Sequence, residues 1–144
     1  MKKRLLFGLL ILALVNAEAA RLRCGKNTAE RFDRFLPRFQ TERSFAVQRT
    51  AVPLEELIFT PGVDENGNDQ ATVRKNRYQR EQIRDRELLG KYIRKNKMSV
   101  SVEKKAADSV EVVIFKDGTD WAETYRFRLR NGCWQLWQTE FWDY

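Results

Sequence analysis

The chain has 144 residues, 27 basic against 20 acidic, a formal net charge of +7 and no histidine. Charged residues make up 33% of it, but aromatics supply another 12%, which argues against a disordered chain. The missing imidazole excludes every mechanism built on a Ser–His or Cys–His pair or on a zinc–histidine centre. Acid–base chemistry would fall to carboxylates, tyrosine or lysine.

The N-terminus reads as an export signal. Lys2, Lys3 and Arg4 precede an apolar run from Leu5 to Val15 that is too short to span a bilayer. Ala17-Glu18-Ala19 then fits a small-x-small cleavage site with the cut before Ala20, and Val15-Asn16-Ala17 offers a second one. The competing reading is an uncleaved anchor or a buried helix. Lipidation at Cys24 is rejected because Arg21, Leu22 and Arg23 stand where a small residue is needed. The expected division is a signal over 1–19 and one domain over 20–144, periplasmic or secreted. No second long apolar run follows, so an integral membrane protein is not expected after cleavage. Taking Lys2, Lys3, Arg4 and Glu18 from the 27 basic and 20 acidic residues leaves 24 and 19, a net charge of +5. That balance suits a solvated basic surface or an anionic partner such as an acidic glycan or a membrane surface. Export argues against nucleic acid. Two cysteines, Cys24 and Cys133, remain; in an oxidising compartment they are either bridged or two buried thiols. A bridge closing roughly 110 residues would contribute up to about 4 to 5 kcal/mol in the chain-entropy account.

In chain order, Thr28 to about Gln40 reads as a helix capped by Asn27 or Thr28. Phe32, Phe35, Leu36 and Phe39 fall on one face, and Pro37 is a point to kink or stop. Residues 46–51 alternate and read as a strand that Pro53 breaks, followed by a short segment through Leu57-Ile58-Phe59. Thr60 to Gln70 reads as a loop. Its Asp64-Glu65-Asn66-Gly67-Asn68-Asp69 stretch imitates a calcium loop, but Asp69 replaces the required glycine and Lys75 the closing glutamate, so Asn66-Gly67 is better read as a turn and no metal is expected. Residues 74–97 carry ten basic and three acidic side chains. The apolar Leu88, Leu89, Tyr92 and Ile93 indicate a helix from about Asp85 to Lys95. From Met98 the period becomes two, giving strands over 98–103, 110–115, 121–130 and 134–142. Asp117-Gly118 and Asn131-Gly132 are the hairpin turns.

Two-residue turns fix a register. Asn131-Gly132 pairs Arg130 with Cys133, Phe127 with Leu136, Tyr125 with Gln138, Glu123 with Glu140 and Trp121 with Trp142. Asp117-Gly118 pairs Ile114 with Trp121 and Val112 with Glu123. Both turns place Val110, Val112, Ile114, Trp121, Tyr125, Phe127, Leu129, Trp134 and Leu136 on one core face. A bulge would shift everything beyond it. On that face Trp121, Glu123, Tyr125, Glu140 and Trp142 form the candidate ligand site, with Glu123 and Glu140 as its carboxylate pair. The opposite face carries Arg126, Arg128, Arg130, Gln135, Trp137, Thr139 and Phe141, with Arg126 set against Trp137 as a candidate cation–π pair. It is a candidate ligand or dimer surface, or plain solvent-facing sheet.

Phe32, Phe39-Gln40, Arg43, Gln48-Arg49 and Pro53-Leu54, with the Trp-rich terminal strands, resemble a domain-of-unknown-function family of exported bacterial proteins. That family lies within the nuclear transport factor 2-like superfamily. The resemblance covers most of residues 28–142. It implies an α+β fold in which two helices pack on a curved antiparallel sheet, a cystatin-like cone with a pocket between sheet and helices. No catalytic residues are defined for the family, so none carry over, and a fold shared by many activities implies none of them. The leading expectation is a ligand- or partner-binding module without cofactor. The alternatives are a carboxylate enzyme in the cone pocket and a homodimerising interaction domain.

N-terminal sequencing of the exported protein is expected to find Ala20 or Glu18 first. A start at Met1 or at a lipidated Cys24 contradicts the signal reading.

Overall fold

A computed structural model of the chain describes Cys24 and residues 28–144. The export signal read over residues 1–19 lies outside the described residues. Four helices and six strands follow one another among those described, and none of the helices is long and apolar enough to cross a membrane.

The phenylalanine stripe builds α1 (Phe32–Thr41), with Phe35 and Phe39 buried and Phe32 and Leu36 packed against the core. The helix starts at Phe32, not at Thr28, and its N-cap residue Arg31 makes no side-chain cap bond. The segment before it is held by the end of the sheet instead. Glu30 N–H donates to Gly132 O at 3.0 Å, Trp134 Nε1 donates to Glu30 O at 2.8 Å, and the Glu30 carboxylate pairs with Arg49 at 3.0 Å. The helix runs through Pro37, which sits on the exposed side, where the one lost backbone bond is left to water.

Residues 46–48, expected as strand, lie in α2 (Arg43–Gln48). The helix turns the Phe45 ring into the core, 5.7 Å from Phe35, which a surface strand would not do. The strand that follows, β1 (Thr50–Val63), is not broken by Pro53. Its pairing with the strand on one side lapses between Thr50 and Glu55, and pairing on the other side begins only at Leu54. Pro53 thus occupies the stretch where no partner needs its N–H. The residues read as loop extend β1 to Val63 and open β2 (Asp69–Tyr78). Between the two strands the Asp64 carboxylate accepts from the N–H groups of Asn66 and Asn68, each at 2.8 Å, and Gly67 takes φ +80°. Those oxygens serve a turn.

The helix expected over 85–95 is α4 (Leu89–Asn96), and a further helix, α3 (Arg80–Asp85), precedes it. Arg43 Nη1 donates to the carbonyls of Arg84 and Arg86, at 2.7 and 2.9 Å, and occupies the carbonyl groups that end α3. The strands β3 (Ser99–Ala106), β4 (Ser109–Phe115), β5 (Ala122–Arg130) and β6 (Cys133–Trp142) follow as a meander. The sheet order is β2-β1-β6-β5-β4-β3. Every pairing is antiparallel except β1 with β6, so the sheet is mixed and not wholly antiparallel.

The Asn131-Gly132 turn has φ +51° and +75° and sets Arg130 opposite Cys133, Leu129 opposite Trp134 and Phe127 opposite Leu136, as expected. Beyond that the register slips. Arg126 faces Gln138 while Phe127 faces Leu136, leaving Trp137 as the extra residue of a bulge. Tyr125 therefore meets Thr139, and Glu123 meets Phe141. The other turn is a four-residue loop, Asp117 to Asp120, closed by Thr119 Oγ1 donating to Lys116 O at 2.8 Å. Ile114 faces Glu123 and Val112 faces Tyr125, a slip of two that keeps each residue on its face. Hence the nine residues expected on one face all belong to the core or pack against it.

The core rests on Phe35, Phe39 and Phe127, whose rings meet at 5.2–5.6 Å, over Val112 and Ile114, which are wholly buried. Cys24 and Cys133 are bridged, with Cα atoms 5.1 Å apart. At Gly90, α4 comes so close to α1 that an added Cβ would lie 2.6 Å from Gln40 O. Alanine favours a helix over glycine by about 1 kcal/mol, yet a clash against backbone costs about 1–3 kcal/mol. Gly90→Ala is expected to lower unfolding stability by roughly 1–2 kcal/mol in urea titration. An unchanged or higher midpoint would mean that α1 can draw back.

Candidate functional site

The helices α2, α3 and α4 do not close fully on β1, β5 and β6. They leave a cavity of about 340 Å³, within the size range of small-molecule sites. Phe39, Val47, Leu54, Ile83, Leu89 and Leu136 give it an apolar wall. Its polar groups cluster in two places.

At the first, the Glu123 carboxylate receives Tyr92 OH on one oxygen at 2.7 Å and Tyr125 OH on the other at 3.0 Å. Tyr92 arrives from α4 and Tyr125 from the same face of β5 as Glu123, two residues on. Burial, reinforced by the neighbouring carboxylate, pushes both phenols well above the usual tyrosine range. At the second, burial would raise the Glu56 carboxyl, but Tyr78 OH, the Asn76 amide and Arg86 Nη2 at 3.1 Å together hold it below the usual range. Arg86 also lies over the Tyr78 ring at 4.8 Å. Between the clusters stands Thr139. It is 5% exposed, lines the cavity, and its Oγ1 is buried with no hydrogen-bond partner.

The five expected site residues separate. Glu123 and Tyr125 line the cavity. Glu140 borders it, but its carboxylate points through to the other face and binds Arg126 at 2.6 Å. The Glu123–Glu140 pair therefore does not form, because the bulge turns Glu140 over. Trp121 and Trp142 lie outside the cavity and line a shallower cleft with Phe141 and Tyr144, where Trp142 stacks on Phe59 at 4.9 Å. On the opposite face the cation over Trp137 is Arg128, at 5.4 Å, and not Arg126. Arg126 is held instead by Glu111, Gln138 and Glu140. Thr139 and Phe141, expected outside, face the cavity.

Sequence reading missed Tyr92, Glu56, Arg86 and Thr139 as site residues. Tyr92 counted only as part of an apolar helix stripe. Glu56 acquires its partners from β2 and from the turn before α4, and no local pattern announces them. Thr139 depends wholly on the bulge.

The phenols remain protonated in the fold, whereas an unfolded chain ionises them near pH 10. Their contribution to stability is full below that pH and falls as pH rises beyond it. Phenolate absorbance from Tyr92 and Tyr125 is expected to appear together with unfolding. In the Tyr92→Phe/Tyr125→Phe variant this alkaline component should vanish. Ionisation of these two groups near pH 10 in the folded protein would contradict the geometry.

No family model matches the chain, and no curated protein matches it. Among solved structures it is similar to an NTF2-like protein from Bacteroides fragilis, with 16% identity, a TM-score of 0.52 and coverage of 81% of this chain. The match takes in 49% of that protein, so this chain spans about half its length. It also matches a de novo designed protein with a curved β-sheet, at 15% identity and a TM-score of 0.39, over 74% of this chain and 90% of that one. The first likeness shows the fold: α+β, with a curved mixed sheet and helices in the NTF2-like arrangement.

Proposed function

We propose that this chain is an exported binding module. Its cavity takes a small, mostly apolar molecule bearing a hydroxyl or ammonium group. The observation that carries this reading is Thr139 in the cavity lining, whose Oγ1 is buried and has no hydrogen-bond partner. A buried hydroxyl without a partner costs about 1–3 kcal/mol, which a ligand atom bonded to it would remove. Glu123 supports the same reading. Each of its oxygens accepts one hydrogen bond from a tyrosine hydroxyl, and a carboxylate has about four acceptor positions. A donor on the ligand therefore meets a carboxylate already oriented by two rings. The apolar wall would supply affinity and the polar group orientation. Export is supported by the N-terminal pattern and by the Cys24–Cys133 bridge, which suits an oxidising compartment.

Native mass spectrometry of the exported protein is expected to show a retained small-molecule adduct. Thr139→Val and Glu123→Gln should each lose the adduct while the melting temperature stays level or rises. Absence of any adduct, or its retention in both variants, would reject the proposal. A fall in melting temperature with the adduct intact would make both groups structural.

A further inference from the structure

On the sheet face turned away from the helices, two neighbouring arginines of β5 are used very differently. Arg126 donates to Glu111 at 3.0 Å, to Gln138 at 2.7 Å and to Glu140 at 2.6 Å. Two residues along, Arg128 makes no ion pair among the described residues. Its guanidinium lies over the Trp137 ring at 5.4 Å, and its Nε is buried without an acceptor. Arg130 follows on the same face, and burial together with Arg130 lowers the Arg128 pKa. The acid that acts on Arg128, Glu55 of β1, is already shared between Lys75 at 3.4 Å and Arg77 at 3.5 Å. The residue opposite Arg128 is the neutral Gln135.

A buried cationic donor without an acceptor is costly, more so than a neutral one. No hydrogen-bond acceptor meets this Nε, whereas each guanidinium nitrogen of Arg126 on the same strand has one partner. Trp137 contributes a flat ring against the guanidinium, because the bulge leaves it unpaired and turned to this face. The Nη groups of Arg128, unlike its Nε, reach the surface and have no acceptor among the described residues, and the end of a planar guanidinium can meet two oxygens of one anion side by side.

We infer that Arg128 and Arg130, with Trp137 beneath, form a binding site for an oxyanion: a carboxylate, phosphate or sulfate group. The site lies on the opposite face of the sheet from the cavity and does not depend on that cavity holding a ligand. It tests directly. The 15N-labelled protein is titrated with acetate, inorganic phosphate and sulfate at constant ionic strength, reading the Arg128 Nε–H and Trp137 indole N–H signals. At least one anion should shift both signals saturably, and the ranking of acetate against the other two separates a planar from a tetrahedral group. Arg128→Gln should weaken binding about tenfold or more, and Arg130→Gln should weaken it less. Arg34→Gln, an exposed arginine on α1, should leave it unchanged. If none of the three anions gives a saturable shift, or if both Arg128→Gln and Arg130→Gln bind as tightly as the parent, Arg128 is a packing cation and the inference fails.

Discussion

Strand β6 has to serve two chemically different faces, and one extra residue decides what each receives. Up to Leu136 the alternation set by the Asn131-Gly132 turn holds, with Trp134 and Leu136 inward. Trp137 has no partner on β5, and past it the alternation resumes in the opposite phase. Thr139 and Phe141 turn inward while Gln138 and Glu140 turn outward. The cavity thereby gains Thr139 where it would have had the Gln138 amide, and Phe141 where it would have had a second carboxylate. The outer face gains the acid that holds Arg126. Among the described residues two side-chain polar atoms are buried without a partner, Arg128 Nε and Thr139 Oγ1, and they flank this bulge from opposite faces. Bulges commonly re-aim side chains beside functional sites, and here one bulge does so on both faces of the sheet.

The apolar half of the molecule is simpler. Rings from α1 meet Phe127 of β5 over Val112 and Ile114 of β4, and Phe45 of α2 packs on Phe35. Burying each such side chain contributes roughly 2–3 kcal/mol relative to exposure. The contact at Gly90 lets α4 lie against α1, which brings Tyr92 over the end of β5 and within reach of Glu123. Helix packing and the polar cluster are thus one arrangement: the glycine that permits the close approach also positions the phenol. Glu30 and Arg49 form a second polar anchor, almost wholly buried, that binds the chain before α1 to the start of β6.

What was legible in the sequence follows from the range of the forces involved. The inward face of β4 and β5 could be read because a period of two and an Asn-Gly turn are local signals, and the slip at Asp117–Asp120 was even in number, so it preserved the face. The bulge could not be read. Gln135-Leu136-Trp137-Gln138 alternates without interruption, and the decision to skip a residue rests on what Tyr125 and Arg126 meet across the strand. Residues 46–48 were assigned to a strand because small and polar side chains alternate there, and only the burial of Phe45 against Phe35 selects the helix. The break between α3 and α4 depends on Arg43, more than forty residues away in the chain. Of the candidate site, Glu123 and Tyr125 were reachable from turn geometry, whereas Glu56, Arg86 and Thr139 became neighbours only through tertiary packing.

The sheet order carries a consequence for how the molecule assembles. β6 comes last of the six strands in sequence, yet it lies third across the sheet, between β1 and β5. Before it is placed, the β1–β2 hairpin and the β3–β4–β5 meander share no strand contact and are two separate sheets of two and three strands. Joining them requires parallel pairing between segments some eighty residues apart, such as Glu55 with Gln138. That kind of long-range closure makes folding slow. Damage to the edge strands β2 or β3 would trim the sheet. Loss of β6 would divide it, and with it the cavity, whose floor spans both halves.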